Sequence, residues 1–311
     1  MTGLRMTHGV NRRRFLTIAS AAALLPAAGR AAAPRITDWR GIALGAEARL
    51  ILAHPDSDRL VAAALDELAR LERIFSLYRR DSELSRLNAA GVLDAPSNEL
   101  VELLALAGLV HDATGGVFDP SIQPLWAAYA AAGAEGRAPT DPGRTAALAR
   151  VGWEGVTVDP GRITLRPGMA LTLNGIAQGY ITDRVAARLA ALGLSDLLCE
   201  MGEIAALGHT PDGTAWPIRL SSGEPVPLSG RCLASSAPRA TAFDQAGRLG
   251  HILDPRTGVP SDRDLALVSV SAPSAALADA LSTAGCLMAR ADLDRSAARF
   301  AEVRIEAYRP S

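Results

Sequence analysis

The chain has 311 residues, 49% of them hydrophobic, and a formal net charge of -1, which is a folded globular composition large enough for one large domain or two modest ones. All 32 basic residues are arginine, which excludes any mechanism that needs a lysine nucleophile or Schiff base. The balanced charge gives no electrostatic footing for nucleic acid, and no basic tract addresses an anionic membrane surface.

Residues 1–33 read as a leader. Asn11-Arg12-Arg13-Arg14-Phe15-Leu16 precedes an apolar run from Leu16 to Ala28, which ends in small residues up to Ala33. Paired arginines followed by Phe-Leu point to the twin-arginine export route. The run falls short of the ~20 apolar residues that a membrane span needs. The expectation is a domain over 34–311 that works in the periplasm, with no stable membrane span. Cys199, Cys232 and Cys286 are too widely spaced for a disulfide framework or a metal site and read as buried thiols, with one bridging pair left open.

In chain order, Trp39 to Ala53 alternates as one or two strands. Asp58 to Ile74 carries Leu60, Ala64, Leu65, Leu68, Leu71 and Ile74 at helical spacing. Ser82 is placed to cap a short helix, with Ser85 where an acid would complete a capping box. Phe75, Tyr78 and Leu84 make either a surface connector or an aromatic lip over a flat ring system. Ser97 to His111 is a second helix, stopped at Thr114-Gly115-Gly116. Thr145 to Val151 is a short helix, and Val156 to Leu165 a hairpin around Pro160-Gly161.

A third strand is expected at Leu171 to Leu173, turning at Asn174-Gly175 into a helix from Ile176 to Leu192. Gly175 and Gly179 leave backbone accessible there, as an anion or a metal-bound phosphate would require, or as a packing turn would. Strands follow at Leu197–Cys199, Ile218–Leu220, Cys232–Ala234 and Leu265–Ser271. Leu277 to Met288 reads as an apolar helix and Val303 to Ala307 as a weak closing strand. Hairpins stand where a doubly wound fold would need crossovers, so the class is α+β: mixed, mainly antiparallel strands with packed helices, in a single compact catalytic region that two lobes could compose. The chain has no G-x-G-x-x-G, P-loop or H-E-x-x-H motif.

Asp279 and Thr283 lie four apart on one face of the apolar helix. A carboxylate there must have a partner. Carboxylate plus hydroxyl suits a hard cation when phosphates complete its shell, although backbone hydrogen bonds would serve the same residues. His251 in His-Ile-Leu-Asp-Pro-Arg-Thr-Gly titrates near neutrality as a base should, and Asp254 could orient it; a structural histidine is the plainer reading. Glu203 ends a predicted strand, where it can face a ligand or solvent.

Five stretches together resemble the ApbE-type FAD:protein FMN transferases, from about Phe75 to Met288. They are Phe75-Ser76-Leu77-Tyr78 with Ser82 to Asn88; Phe118-Asp119-Pro120; Asn174-Gly175-Ile176-Ala177-Gln178-Gly179-Tyr180 with Asp183; His251 to Gly258; and Ala278-Asp279-Ala280-Leu281-Ser282-Thr283. The details are most similar to the exported NosX-type branch. The resemblance implies Mg²⁺-dependent transfer of the FMN half of FAD to a threonine or serine hydroxyl of a partner flavoprotein, releasing AMP; a NosR-like membrane protein would be the partner.

By the same resemblance, Asp279, Thr283 and the Ala177 carbonyl would hold Mg²⁺. Tyr78 and Val117-Phe118-Asp119 would line the FAD site, with Asn174 and Gln178 facing the phosphates. His251 would sit at the reacting centre with Asp254 beside it. The family often has lysine where Gln178 stands and Gly-Gly-Asp-Ile where Met201-Gly202-Glu203-Ile204 stands, which puts FAD affinity in question. Two rival readings use the same residues: a periplasmic FAD pyrophosphatase with water as acceptor, and a non-catalytic flavin-binding assembly factor.

Overall fold

The computed structural model describes residues 36–43 and 46–311; the leader expected over residues 1–33 lies outside them. Strands β1 (Ile36–Ala43) and β2 (Ala46–Ala53) lead into α1 (Ser57–Phe75), α2 (Glu83–Ala90), β3 (Val92–Asp94) and α3 (Asn98–Ala113). Then come α4 (Gln123–Ala134), α5 (Asp141–Leu148), β4 (Val156–Asp159) and β5 (Arg162–Leu165). Helix α6 (Ala177–Ala191) precedes β6 (Leu197–Met201), β7 (Ile204–Leu207), β8 (Trp216–Arg219), β9 (Pro225–Leu228) and β10 (Arg231–Ser236). The chain closes with β11 (Leu265–Ala272), α7 (Ala275–Gly285), α8 (Arg290–Ala297) and β12 (Arg304–Pro310).

Seven strands form one sheet in the order β1-β2-β6-β7-β10-β11-β12, each neighbouring pair antiparallel. The side-chain period of two decides what covers each face. Leu197, Cys199, Cys232 and Ala234 point into the large core beneath α1, α6 and α7, while Leu198 and Leu233 point the other way. On that other face the β8–β9 hairpin supplies Trp216, Ile218, Val226 and Leu228 as cover. The α+β expectation therefore holds. The described residues fall in one unit, without a division into two lobes. No helix among them is long and apolar enough to cross a membrane.

Local chemistry sets the element boundaries. Ser82 caps α2 by accepting from the Ser85 amide at 3.0 Å, and the Ser85 hydroxyl, in the place of the missing acid, donates to the Ser76 carbonyl at 3.1 Å. Ser97 caps α3, and its own amide and hydroxyl both donate to Glu83 at 2.9 Å, tying the two helix starts together. The cysteines are free and buried. Cys199 and Cys232 flank the same Ala205 from opposite strands. Two strand spacings, roughly 9.5 Å, separate them, which is beyond the reach of a disulfide.

The strand expected at Leu171–Leu173 does not form. Leu171 and Leu173 are buried as expected, but the backbone of Leu171 is paired by a side chain. The Asn88 amide donates to its carbonyl at 2.8 Å and accepts from its N–H at 2.7 Å, which is what a neighbouring strand would do. Three short strands, α4 and α8 escape the sequence pattern for physical reasons: α4 is alanine-rich with no distinct apolar face, and α8 carries Leu293 as its one large apolar residue. In β3 only one of three residues is buried, β9 alternates prolines that a central strand would exclude, and β7 lacks β-branched alternation. Replacing Asn88 with Ala strands two buried backbone groups. It is expected to cost about 1–3 kcal/mol of unfolding free energy, read as a lowered urea midpoint with an unchanged slope.

Candidate active site

Helices α6 and α7 meet at their N-terminal ends, and glycine makes the contact possible. A Cβ on Gly179 would overlap the Ala275 carbonyl and stand 2.6 Å from the Ala276 nitrogen, so backbone packs directly on backbone. Asp183, one turn further along α6, accepts from the Ser274 hydroxyl and the Ala275 amide at 2.8 Å and from the Ala276 amide at 3.0 Å. It caps α7 from a neighbouring helix. Burial nevertheless raises its pKa, and the Cys232 thiol adds a weak donor at 3.5 Å.

The return contact is made by Asp279, buried at 3% exposure, whose Oδ2 accepts from the Gly179 amide at 3.3 Å. The sequence reading kept Gly179 open for a phosphate; in the structure α7 fills that space. The Ala177 amide is likewise spent on the Leu173 carbonyl at 2.7 Å. The anion at the start of α6 is the carboxylate of Asp279 itself. Desolvation pushes its pKa up to about 7, with the Gly179 hydrogen bond opposing and the Asp183 charge adding.

These groups open onto a cavity of about 380 Å³. Asp279 and Thr283 both line it, one turn apart, and Gly175 brings its backbone against Thr283, where a Cβ would stand 3.0 Å from the hydroxyl. Ser236 links to Ser282 at 2.7 Å and to Thr283 at 3.4 Å. Glu203 lines the same space and is buried, held by the Ser235 amide at 3.3 Å. Burial first and the Asp279 charge second push its pKa well above the carboxylate range. The lining carries three carboxylates (Asp119, Glu203 and Asp279) and no arginine. Ala177, the first residue of α6, is buried and is not part of the lining.

His251 lines the cavity on the opposite run of chain. Its Nδ1 lies 3.0 Å from the Thr241 carbonyl, which also accepts the His251 backbone amide at 3.0 Å. A carbonyl can only accept, so Nδ1 carries the proton and Nε2 keeps its lone pair. Burial lowers the pKa of this histidine, with the carbonyl contact opposing. The expected orienting acid is engaged elsewhere. Asp254 accepts from Arg256 at 2.9 and 2.6 Å and from the Arg256 amide at 2.8 Å, and it is absent from the lining. The turn residue two positions on takes the acid, and a carbonyl ten residues upstream takes its place at the histidine.

An aromatic and polar wall completes the cavity. Tyr78, 84% exposed, stands at the mouth, whereas Phe75 is buried edge-on against Tyr180 at 5.4 Å and Leu84 lies in the core, so only Tyr78 makes a lip. Val117 and Phe118 are buried lining residues. Asp119 borders the cavity, but its carboxylate accepts from Ser121 at 2.8 and 2.7 Å and from the Trp153 amide at 3.2 Å, so its side chain builds the wall. Asn174 is exposed, and Gln178 lies over Gly202, whose φ of 103° and missing Cβ leave room for it. Trp126, set edge-on to Phe243 at 5.3 Å, Ser236 and Thr241 line the cavity unforeseen. Only Trp126 had a signal, as a tryptophan shortly after the Phe-Asp-Pro turn.

A buried carboxylate held between two helices, a histidine with an unprotonated Nε2 and an aromatic mouth share one cavity on an antiparallel α+β frame. The ApbE family pattern matches residues 44–308, and the chain belongs to that family as an enzyme of the FAD:protein FMN transferase type. It is 32% identical over 233 residues to the FAD:protein FMN transferase of Haemophilus influenzae, covering 67% of this chain and 66% of that protein. It is 31% identical over 242 residues to that of Vibrio cholerae, covering 73% and 70%. The crystal structure of the Pseudomonas stutzeri flavinyl transferase ApbE, apo form, superposes with a TM-score of 0.77 at 27% identity, covering 87% of this chain and 90% of that one.

The two glycines of the site are expected to respond differently. Gly179→Ala forces backbone apart and should lower unfolding stability by about 3 kcal/mol or more. Gly175→Ala meets only the Thr283 side chain and should cost less; thermal unfolding of the two variants side by side checks the order.

Proposed function

We propose that this enzyme transfers the FMN moiety of FAD to a threonine or serine hydroxyl of a periplasm-facing acceptor flavoprotein, releasing AMP, with Mg²⁺ held by Asp279 and Thr283; the Ala177 carbonyl that the resemblance adds to the set belongs to a residue behind the lining. The observation that carries the reading is the charge of the cavity: buried carboxylates and hydroxyls, without an arginine to meet a diphosphate. An oxygen donor set of this kind fits a hard cation. Among the described residues no three His, Cys, Asp or Glu side chains converge on one point, so hydroxyl and diphosphate oxygens would complete the shell. When bound, the cation supplies charge neutralisation on the phosphate oxygens.

The chain's own residues do the rest. Tyr78, Phe118 and Trp126 offer apolar faces for a flat ring, and Asn174 and Gln178 offer neutral donors at the junction ahead of α6. Nε2 of His251, left unprotonated by the Thr241 contact, takes the proton of the acceptor hydroxyl as its oxygen attacks the FMN phosphorus. The bond from that phosphorus to the AMP oxygen breaks, and AMP leaves. The narrower form of the proposal is a NosX-type enzyme exported through the twin-arginine route to serve a NosR-like membrane protein; it rests on the residue pattern alone.

Incubation with FAD, Mg²⁺ and a candidate acceptor domain, followed by a denaturing gel, tests the transfer: a fluorescent acceptor band is expected. Free FMN with an unlabelled acceptor would assign the pyrophosphatase reaction instead. Asp279→Ala is expected to lower transfer by about 10²–10³-fold, more than loss of any single wall residue; near-normal transfer with intact Mg²⁺ dependence would sink the assigned role. His251 works when neutral and its pKa is lowered, so at Mg²⁺ concentrations high enough to keep Asp279 ionised kcat/KM should fall only below the ordinary histidine value of 6.5. That acid limb should vanish in His251→Gln along with about 10²–10⁴-fold of rate.

A further inference from the structure

A second hollow, larger than the cavity at about 1080 Å³, runs alongside the site on the outer surface. Its walls belong to the same segments. Leu77 faces the hollow and Tyr78 the cavity; on α4 Gln123 and Ala127 face the hollow while Trp126 faces the cavity; Ala170 and Thr172 divide in the same way. The two spaces thus share these three segments, and the groove ends one residue from Tyr78 at the cavity mouth.

The groove is one-signed. Arg80, Arg150 and Arg166 line it, with no acidic residue in the lining. Arg166 is tied to Glu154 at 3.4 Å, but Arg80 and Arg150 are exposed and have no carboxylate partner among the described residues. Arg150 lays its stem over Gly168, its Cδ 3.4 Å from where a Cβ would stand, which holds the guanidinium at the rim. Between the arginines the surface is apolar, with Leu77, Pro124, Leu165 and Met169. An apolar trough edged with unpaired cations fits an extended polypeptide with carboxylates. Another arginine-lined hollow, of about 420 Å³, differs because it contains Asp292, Arg256 and Arg295 are already paired with Asp254 and Asp292, and Arg299 donates to the Asp112 carbonyl, which leaves Arg263 as its single arginine without such a partner among the described residues.

We propose that the groove edged by Arg80 and Arg150 is the docking site for an acidic, extended segment of the acceptor protein, which it holds beside the mouth of the transfer cavity. The inference rests on the proposed transfer to a protein hydroxyl and adds how the acceptor is chosen.

The probe is a fluorescein-labelled dodecapeptide carrying one threonine and four aspartates, compared with the same peptide carrying asparagines, in anisotropy titrations with the full chain. The aspartate peptide is expected to bind at least tenfold more tightly at low salt, and R80E/R150E should erase the difference, while R263E in the other hollow leaves it intact. FAD binding, followed by flavin fluorescence, should be the same for all three proteins. Equal binding of the two peptides by the parent chain overturns the inference, as does loss of discrimination in R263E but not in R80E/R150E. Sedimentation with phosphatidylglycerol vesicles that depends on Arg80 and Arg150, without peptide discrimination, overturns it in favour of a lipid surface. A parent chain that binds no FAD overturns the proposed function and this inference together.

Discussion

A carboxylate with no cation beside it governs this molecule. Asp279 is 3% exposed, on a helix mostly of alanine and leucine, and its one protein donor is the amide of Gly179 on another helix. A buried charge held by a single neutral hydrogen bond is poorly compensated, which is why its pKa rises to about 7 in spite of the helix start it faces. Every nearby feature serves to keep it there. Gly179 lets α7 come close enough to lend the contact, and Asp183 holds the first turn of α7 by three donors. The antiparallel sheet beneath gives both helices a flat, fully covered floor.

Two acids in one dry cavity raise each other's cost. Glu203 faces the same space and shares the field of Asp279, so the pair is more comfortable with a shared proton or a cation than with two bare charges. A structure built only for stability would have placed an arginine here, and the chain has 32 of them. Keeping them out of the lining leaves the cavity without a fixed cation. In the proposed reaction that positive charge would be supplied with the substrate, as the counter-ion of its diphosphate.

The sequence was a good guide wherever one periodic signal decided an element. Helical spacing located α1, α3 and α6, loose alternation located β1 and β2, and short apolar runs located β6, β10 and β11. It failed where pairing came from outside the local pattern. Leu171 is satisfied by the Asn88 amide from 83 residues away, and the prolines of β9 sit on a two-stranded ribbon that no alternation announces. At the site, residue types and order brought together Asp279, Thr283, Glu203, His251 and the aromatic wall. Hydrogen-bond direction was not legible. Asp254 is the nearest acid to His251 in sequence yet belongs to Arg256, and Thr241 has nothing in its sequence setting to mark its carbonyl as the group that fixes the tautomer. Gly179, by contrast, was a visible signal with two readings, and helix packing won over phosphate contact.

That tautomer bears on the choice between transfer and hydrolysis. A carboxylate partner would stabilise the protonated imidazole and make His251 a stronger base toward any hydroxyl, water included. A neutral carbonyl fixes the ring without that charge, and burial lowers the pKa further, so the base is weak and fixed in place. A weak base discriminates by position. Under the proposed mechanism the hydroxyl that reacts would be the one held at Nε2 while FAD is bound, and a threonine anchored through its neighbouring residues would gain a proximity advantage that a diffusing water lacks. On that proposal the outcome of the reaction would depend on what lies along the Tyr78 mouth more than on the chemistry within the cavity.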